Sequence, residues 1–164
     1  MDTGISLSPL RGLGSWLFSR RDLLLSPHEA GTPTQRHEPR SVLIIEDDLL
    51  IASQIEAALT EAGFNVVGVA TTGEEAFELA AGHTPDLAIT DVRLAGDGDG
   101  IDAALALFRS HGIRCILASA YSDDEARQRA EPAAPLGWLQ KPYSMASLTA
   151  AVRRAAAELR GQRR

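Results

Sequence analysis

The sequence predicts a doubly wound α/β fold, in which five parallel strands are covered by helices on both faces. Three observations point there. From Ser41 onward, short β-branched or aliphatic runs alternate with stretches of helical period. The runs are almost continuously apolar, as strands buried on both faces must be. The chain has 164 residues, 45% of them hydrophobic, which suits one compact domain and is too short for two ordinary ones with a linker.

Taken in order, the strands are predicted at Ser41–Ile45, Asn65–Ala70, Leu87–Thr90, Arg114–Ala118 and Gly137–Gln140. The first helix, Leu49–Ala62, sets Ile51, Ile55, Leu59 and Ala62 on one face, and a shorter one follows at Glu74–Ala81. Ile101–Ser110 carries Ile101, Ala104, Leu105 and Phe108 at i, i+3, i+4 and i+7, one buried stripe. Asp123–Ala130 is mostly polar and is expected to attach loosely. The last helix, Met145–Arg160, has Ser144 as its N-cap and turns Leu148, Ala151, Val152, Ala155 and Leu159 toward the sheet. Among the possible windings the flavodoxin-like order 2-1-3-4-5 is chosen, and such sheets bind ligands beyond the carboxyl ends of their strands.

Residues 1–40 mix Gly, Pro, Ser and Arg with brief apolar patches and keep no sustained period, so they read as a flexible N-terminal extension. The alternative is a short docking helix. Residues 161–164 read as a basic C-terminal tail, and no output domain is expected after the last helix. Net charge is −6, and the excess of acid lies after residue 40, which speaks against a direct nucleic-acid partner. No stretch nears the roughly 20 apolar residues of a spanning helix, so no membrane role is expected. Arg20-Arg21 resembles an export signal, but the apolar run behind it stops at Leu25. The single cysteine, Cys115, sits in the run Cys115-Ile116-Leu117-Ala118 and reads as a small core residue in a reducing cytoplasm. Asp97-Gly98-Asp99-Gly100 lacks the later ligands of a calcium loop, and the four histidines fall at unrelated spacings.

Chemistry gathers at the strand ends. The first strand ends in Glu46-Asp47-Asp48, the third in Asp91, the fourth in Ser119 and the fifth in Lys141-Pro142. Carboxylates converging from separate strands repel one another, and an oxygen-loving cation such as Mg²⁺ would hold them ionised. Lys141 is the sole lysine beside fifteen arginines, which suggests a site that wants a compact point charge; a surface lysine placed there by chance is the alternative.

The stretches Val42-Leu43-Ile44-Ile45-Glu46-Asp47-Asp48 and Asp86-Leu87-Ala88-Ile89-Thr90-Asp91-Val92-Arg93-Leu94, with Ser119-Ala120 and Lys141-Pro142, resemble the receiver domains of response regulators. The resemblance covers residues 41–160. It implies that Asp91 is the phosphoacceptor, that Glu46, Asp47, Asp91 and the Arg93 carbonyl hold Mg²⁺, and that Ser119 and Lys141 bind the phosphoryl group. It further implies a cis peptide before Pro142 and a switch built on Ser119 and Trp138, with a half-exposed anchor as the other reading of Trp138. Arg93 and Tyr121 would modulate the lifetime of the acyl phosphate. Leu117-Ala118-Ser119-Ala120-Tyr121 is similar to the Phe-Ala-Thr-Gly-Tyr pattern of an alphaproteobacterial subgroup, with three positions changed. The loop after Asp91 departs from the family, with Ala95 where many receivers have Pro and one extra residue in Gly96–Gly100.

The function so implied is that of a cytoplasmic, single-domain response regulator, a phosphoacceptor and not an enzyme in the ordinary sense. A sensor histidine kinase or histidine phosphotransfer protein would supply the phosphoryl group. A downstream effector protein, or a second copy in a homodimer, would meet the face made by the fourth helix, fifth strand and fifth helix. Two rivals are weighed: a hydrolase with an Asp nucleophile, which would want a carboxylic acid where Arg93 stands, and a receiver-like adaptor that is never phosphorylated.

Overall fold

The computed structural model describes residues 40–94, 98–120 and 124–162. The element order is β1 Ser41–Ile45, α1 Leu49–Glu61, β2 Asn65–Ala70, α2 Gly73–His83, β3 Leu87–Asp91, α3 Gly100–His111, β4 Arg114–Ser119, α4 Asp124–Ala130, β5 Gly137–Gln140 and α5 Met145–Gln162. A single turn of 3₁₀ helix, Glu131–Ala133, links α4 to the loop before β5. All strand pairs are parallel and the sheet runs β2-β1-β3-β4-β5, the flavodoxin-like order predicted.

Both faces of the sheet are buried, which is why the strands read as apolar runs. On β1, Val42 and Ile44 join a core with Ile55 and Leu59 of α1 and Leu148, Val152 and Ala155 of α5. Leu43 and Ile45 point the other way, into a core with Ala76 and Ala80 of α2, Ile101 and Leu107 of α3, and Ala126 and Ala130 of α4. Two helices thus cover one face and three the other. The winding reverses between β1 and β3, so their carboxyl ends diverge into opposite connections and leave a crevice there.

The helices differ from expectation in detail. On α3 the buried positions are Ile101, Ala103, Ala104 and Leu107, while Leu105 and Phe108 are only half-buried. The stripe is rotated because α2 comes close: a Cβ on Gly73 would lie 3.3 Å from that of Ala103, so the small residue faces inward. On α1 it is Ala52, beside Ile55 and Leu59, that is fully buried, and Ile51 and Ala62 lie at the margin. α4 is tied down more firmly than its polarity suggests. Ala126 and Ala130 are buried, the Arg127 guanidinium stacks 4.8 Å from the Trp138 ring centroid, and Arg129 donates to Asp99. Ser144 does cap α5, its hydroxyl accepting from the Ser147 N–H at 3.1 Å. Cys115 is buried, as its apolar neighbours imply. Among the described residues no helix is long and apolar enough to cross a membrane. The extension, apart from Arg40, and the last two residues of the tail lie outside the described residues.

Candidate functional site

Parallel register brings the polar strand ends level. Ile45 pairs with Thr90, so Glu46 stands one step beyond, beside Asp91. Asp91 in turn pairs with Ala118, and Ser119 with Gln140, which sets Ser119 and Lys141 at the ends of the next two strands. The Lys141 N–H donates to the Ser119 carbonyl at 2.7 Å and fixes the root of the lysine to β4. The Lys141–Pro142 peptide is cis, as the resemblance implies.

From that root the Lys141 ammonium reaches across β4 to β3 and donates to Asp91 Oδ2 at 2.6 Å, with Glu46 Oε2 at 3.6 Å. Asp91 Oδ1 accepts the Arg93 N–H at 3.2 Å, so the Asp91 carboxylate is held at both oxygens. One carboxylate oxygen from each of Glu46, Asp47 and Asp91 lies within 4.8 Å of the others. Oxygen donors this close fit a hard divalent cation such as Mg²⁺, which keeps several waters and takes few protein ligands. Asp48 serves the following helix instead, since its side chain accepts from the Leu50 and Ile51 N–H groups and caps α1.

The electrostatics agree with a site short of positive charge. Glu46 is 3% exposed. Its pKa lies above the usual carboxylate range, chiefly because burial disfavours the charge; Lys141 and the Asp48 N–H pull it down, and Asp91 and Asp47 push it up. Burial also disfavours charge on Lys141, but the hydrogen bond and charge of Asp91, with the charge of Glu46, outweigh it and raise its pKa.

Glu46, Asp47, Asp91 and Lys141 therefore meet in one place, with Ser119 at the neighbouring strand end and Arg93 engaged through its main chain. Trp138 stands apart from the carboxylates. It pairs with Leu117 in register and is half-buried against the core under α2, α3 and α4. Tyr121 lies outside the described residues.

Two neighbours of the site escape sequence reasoning. A Cβ on Gly100 would lie 1.7 Å from the Asp91 carbonyl oxygen and 2.8 Å from Thr90 Oγ1, so only glycine lets α3 start against the backbone of Asp91. Its place in the Gly/Asp-rich stretch Asp97-Gly98-Asp99-Gly100 is the available signal. Tyr143, two residues past Lys141, has a buried hydroxyl without a hydrogen-bond partner among the described residues. Its pKa is raised, first by burial, with Lys141 lowering it and Glu46 and Asp91 raising it.

A family profile described as the response regulator receiver domain matches residues 42–153. The chain is 38% identical over 122 residues to the transcriptional regulatory protein PdtaR of Mycobacterium tuberculosis, a match covering 74% of this chain and 59% of that one. It is 34% identical over 137 residues to the phyllosphere-induced regulator PhyR of Methylorubrum extorquens, covering 82% of this chain and 49% of that one. The chain thus spans about half to three-fifths of the length of these relatives. Among solved structures it is similar to the signal receiver domain of a modulated diguanylate cyclase from Desulfovibrio desulfuricans, with 33% identity, a TM-score of 0.67, and coverage of 74% of this chain and 97% of that one. Matched over most of its length by the receiver-domain profile and by relatives more than 30% identical, this chain belongs to the response regulator receiver domain family.

Proposed function

We propose that residues 41–160 form a receiver that accepts a phosphoryl group on Asp91, from the phosphohistidine of a sensor kinase or phosphotransfer protein, with Mg²⁺ held by Glu46, Asp47, Asp91 and the Arg93 carbonyl. The observation that carries this reading is the 2.6 Å contact of the Lys141 ammonium with Asp91 beside the Glu46 and Asp47 carboxylates. A bound magnesium ion would neutralise charge on the carboxylates and on the incoming group. An oxygen of Asp91 attacks phosphorus, an acyl phosphate forms, and the P–N bond breaks with its electrons going to the departing imidazole. Lys141 and the Ser119 hydroxyl then take phosphoryl oxygens and disperse their charge. Arg93 and Tyr121 screen the acyl phosphate from water and set its lifetime.

A groove of about 480 Å³ beside Lys141, lined by Ile51, Gln54, Pro142, Tyr143 and Met145 among others, supports docking of the phosphodonor there. Leu49 and Leu50, 68% and 74% exposed at the start of α1, offer it apolar anchors. Output passes by inward movement of Ser119 and rotation of Trp138, which alters the face of α4, β5 and α5 for an effector protein or a second copy. The protein works in the cytoplasm, and residues 1–40 are an N-terminal extension of the receiver.

The test is incubation with a small phosphodonor, with and without Mg²⁺, followed by intact mass measurement. A gain of one phosphoryl group is expected only with Mg²⁺, and none in Asp91→Asn. An equal gain in both proteins would move the phosphoacceptor elsewhere.

A further inference from the structure

Tyr143 lies two residues beyond Lys141 and lines the same groove. Its ring packs against the core that β1 shares with α1 and α5. The hydroxyl at its tip is shut off from solvent and has no hydrogen-bond partner, the one buried side-chain polar atom so stranded among the described residues. Packing alone does not explain it. Phenylalanine would fill the same space, whereas a buried hydroxyl left unpaired costs stability. The charges that act on the phenol are those of Lys141, Glu46 and Asp91, so the hydroxyl lies within the field of the acidic site.

Glu46 has the complementary lack. It is almost fully buried, yet among the described residues its carboxylate has only the Asp48 N–H at 3.3 Å and the Lys141 ammonium at 3.6 Å. A donor without an acceptor thus stands near a carboxylate short of donors. We propose, on the magnesium reading of the site, that Tyr143 is a positioning residue for Glu46: its hydroxyl donates to the Glu46 carboxylate, directly or across one water, and holds it ready for a divalent cation. Carboxylates that ligate a metal are in turn hydrogen-bonded by a further group, and losing that group typically weakens metal binding about 10- to 100-fold. Asp91 is the weaker claimant for the hydroxyl, since its two oxygens already accept from Lys141 at 2.6 Å and from the Arg93 N–H at 3.2 Å.

The experiment is calorimetric titration of the full chain with MgCl₂, comparing the wild type, Tyr143→Phe, Glu46→Ala and the double variant, beside denaturant unfolding in EDTA. Circular dichroism verifies that each variant folds. Tyr143→Phe keeps the ring, so its metal-free unfolding midpoint should equal or exceed that of the wild type, while its Mg²⁺ dissociation constant rises about tenfold. In the Glu46→Ala background the same substitution should change that constant less than about twofold, because the carboxylate it serves is gone. Equal Mg²⁺ affinity in Tyr143→Phe and wild type, a full tenfold loss on top of Glu46→Ala, or a lower metal-free midpoint would each overturn the proposal. Phosphorylation is read separately. A wild type that gains a phosphoryl group with Mg²⁺ while Tyr143→Phe binds the metal unchanged sinks this role for Tyr143 and leaves the phosphoacceptor reading standing; a wild type that binds no Mg²⁺ sinks both.

Discussion

Two buried carboxylates stand at opposite ends of the same sheet, and their surroundings differ in kind. Asp86, at the amino end of β3, is 9% exposed, and its Oδ2 accepts the Arg40 and Ser41 N–H groups, both at 3.0 Å, and the Ser41 hydroxyl at 2.6 Å. Its own N–H returns to the Ser41 carbonyl at 3.0 Å. Glu46, at the carboxyl end of β1, is 3% exposed but has the Asp48 N–H at a long 3.3 Å and Lys141 at 3.6 Å. The first is a closed knot joining the starts of β1 and β3. The second holds back hydrogen-bonding capacity, and a carboxylate with so few protein partners is suited to a ligand from outside.

Substitution at these two positions is the sharpest way to break that contrast. Asp86→Ala removes three hydrogen bonds to a charged group and strands two main-chain donors, so unfolding in denaturant should show a loss of about 3 kcal/mol. Glu46→Gln, which keeps the shape and drops a poorly compensated charge, should change stability by less than about 1 kcal/mol while Mg²⁺ affinity, read by titration of intrinsic fluorescence, drops at least tenfold. Equal destabilisation by both would erase the distinction between a structural carboxylate and a receptive one.

Gly100→Ala refines it by pressing on the receptive end alone. The new methyl would meet backbone atoms of Asp91, which cannot swing aside as a flexible side chain can. A stability loss of about 2 kcal/mol is expected, with phosphorylation of Asp91 slowed even where the protein stays folded. The Asp86 knot should keep its amide-exchange protection.

The smallest effect concerns a group between the two ends. Burial pushes the Cys115 thiol up to about 12, and no charged neighbour takes part in that shift. Because the folded value is raised, the contribution to stability is complete below the unfolded value of about 8.5 and is lost as pH climbs toward 12. Between pH 8 and 9.5 the wild type should lose about 1 kcal/mol more than Cys115→Ala in matched denaturation curves. Parallel curves would mean that the thiol ionises as freely folded as unfolded.

Much of this architecture is legible in the sequence because it rests on local pattern. β1, β2 and β5 begin and end where the sequence pattern predicts, and the site is legible because strands hand over from apolar to polar near their carboxyl ends. What is not legible depends on partners far along the chain. Nothing near Asp86 announces that Ser41, 45 residues earlier, will satisfy it, and nothing in α4 announces that Arg129 will reach Asp99. The phase of α3 departs from its sequence pattern for a similar reason: large Leu105 and Phe108 read as inward until the approach of α2 at Ala103 is known. The 3₁₀ turn is readable in principle, since Pro132 sits early in Glu131-Pro132-Ala133, where its fixed φ suits a helical start.

Asp99 does two jobs with one side chain: Oδ1 accepts from the Ile101 N–H at 2.8 Å and starts α3, while Oδ2 accepts from Arg129 of α4. A helix start and a neighbouring helix are thus hitched to the same carboxylate, as two ropes are to one cleat. Pull on α4 through Arg129 tugs at the first turn of α3, and Gly100, next in the chain, rests on the main chain of Asp91.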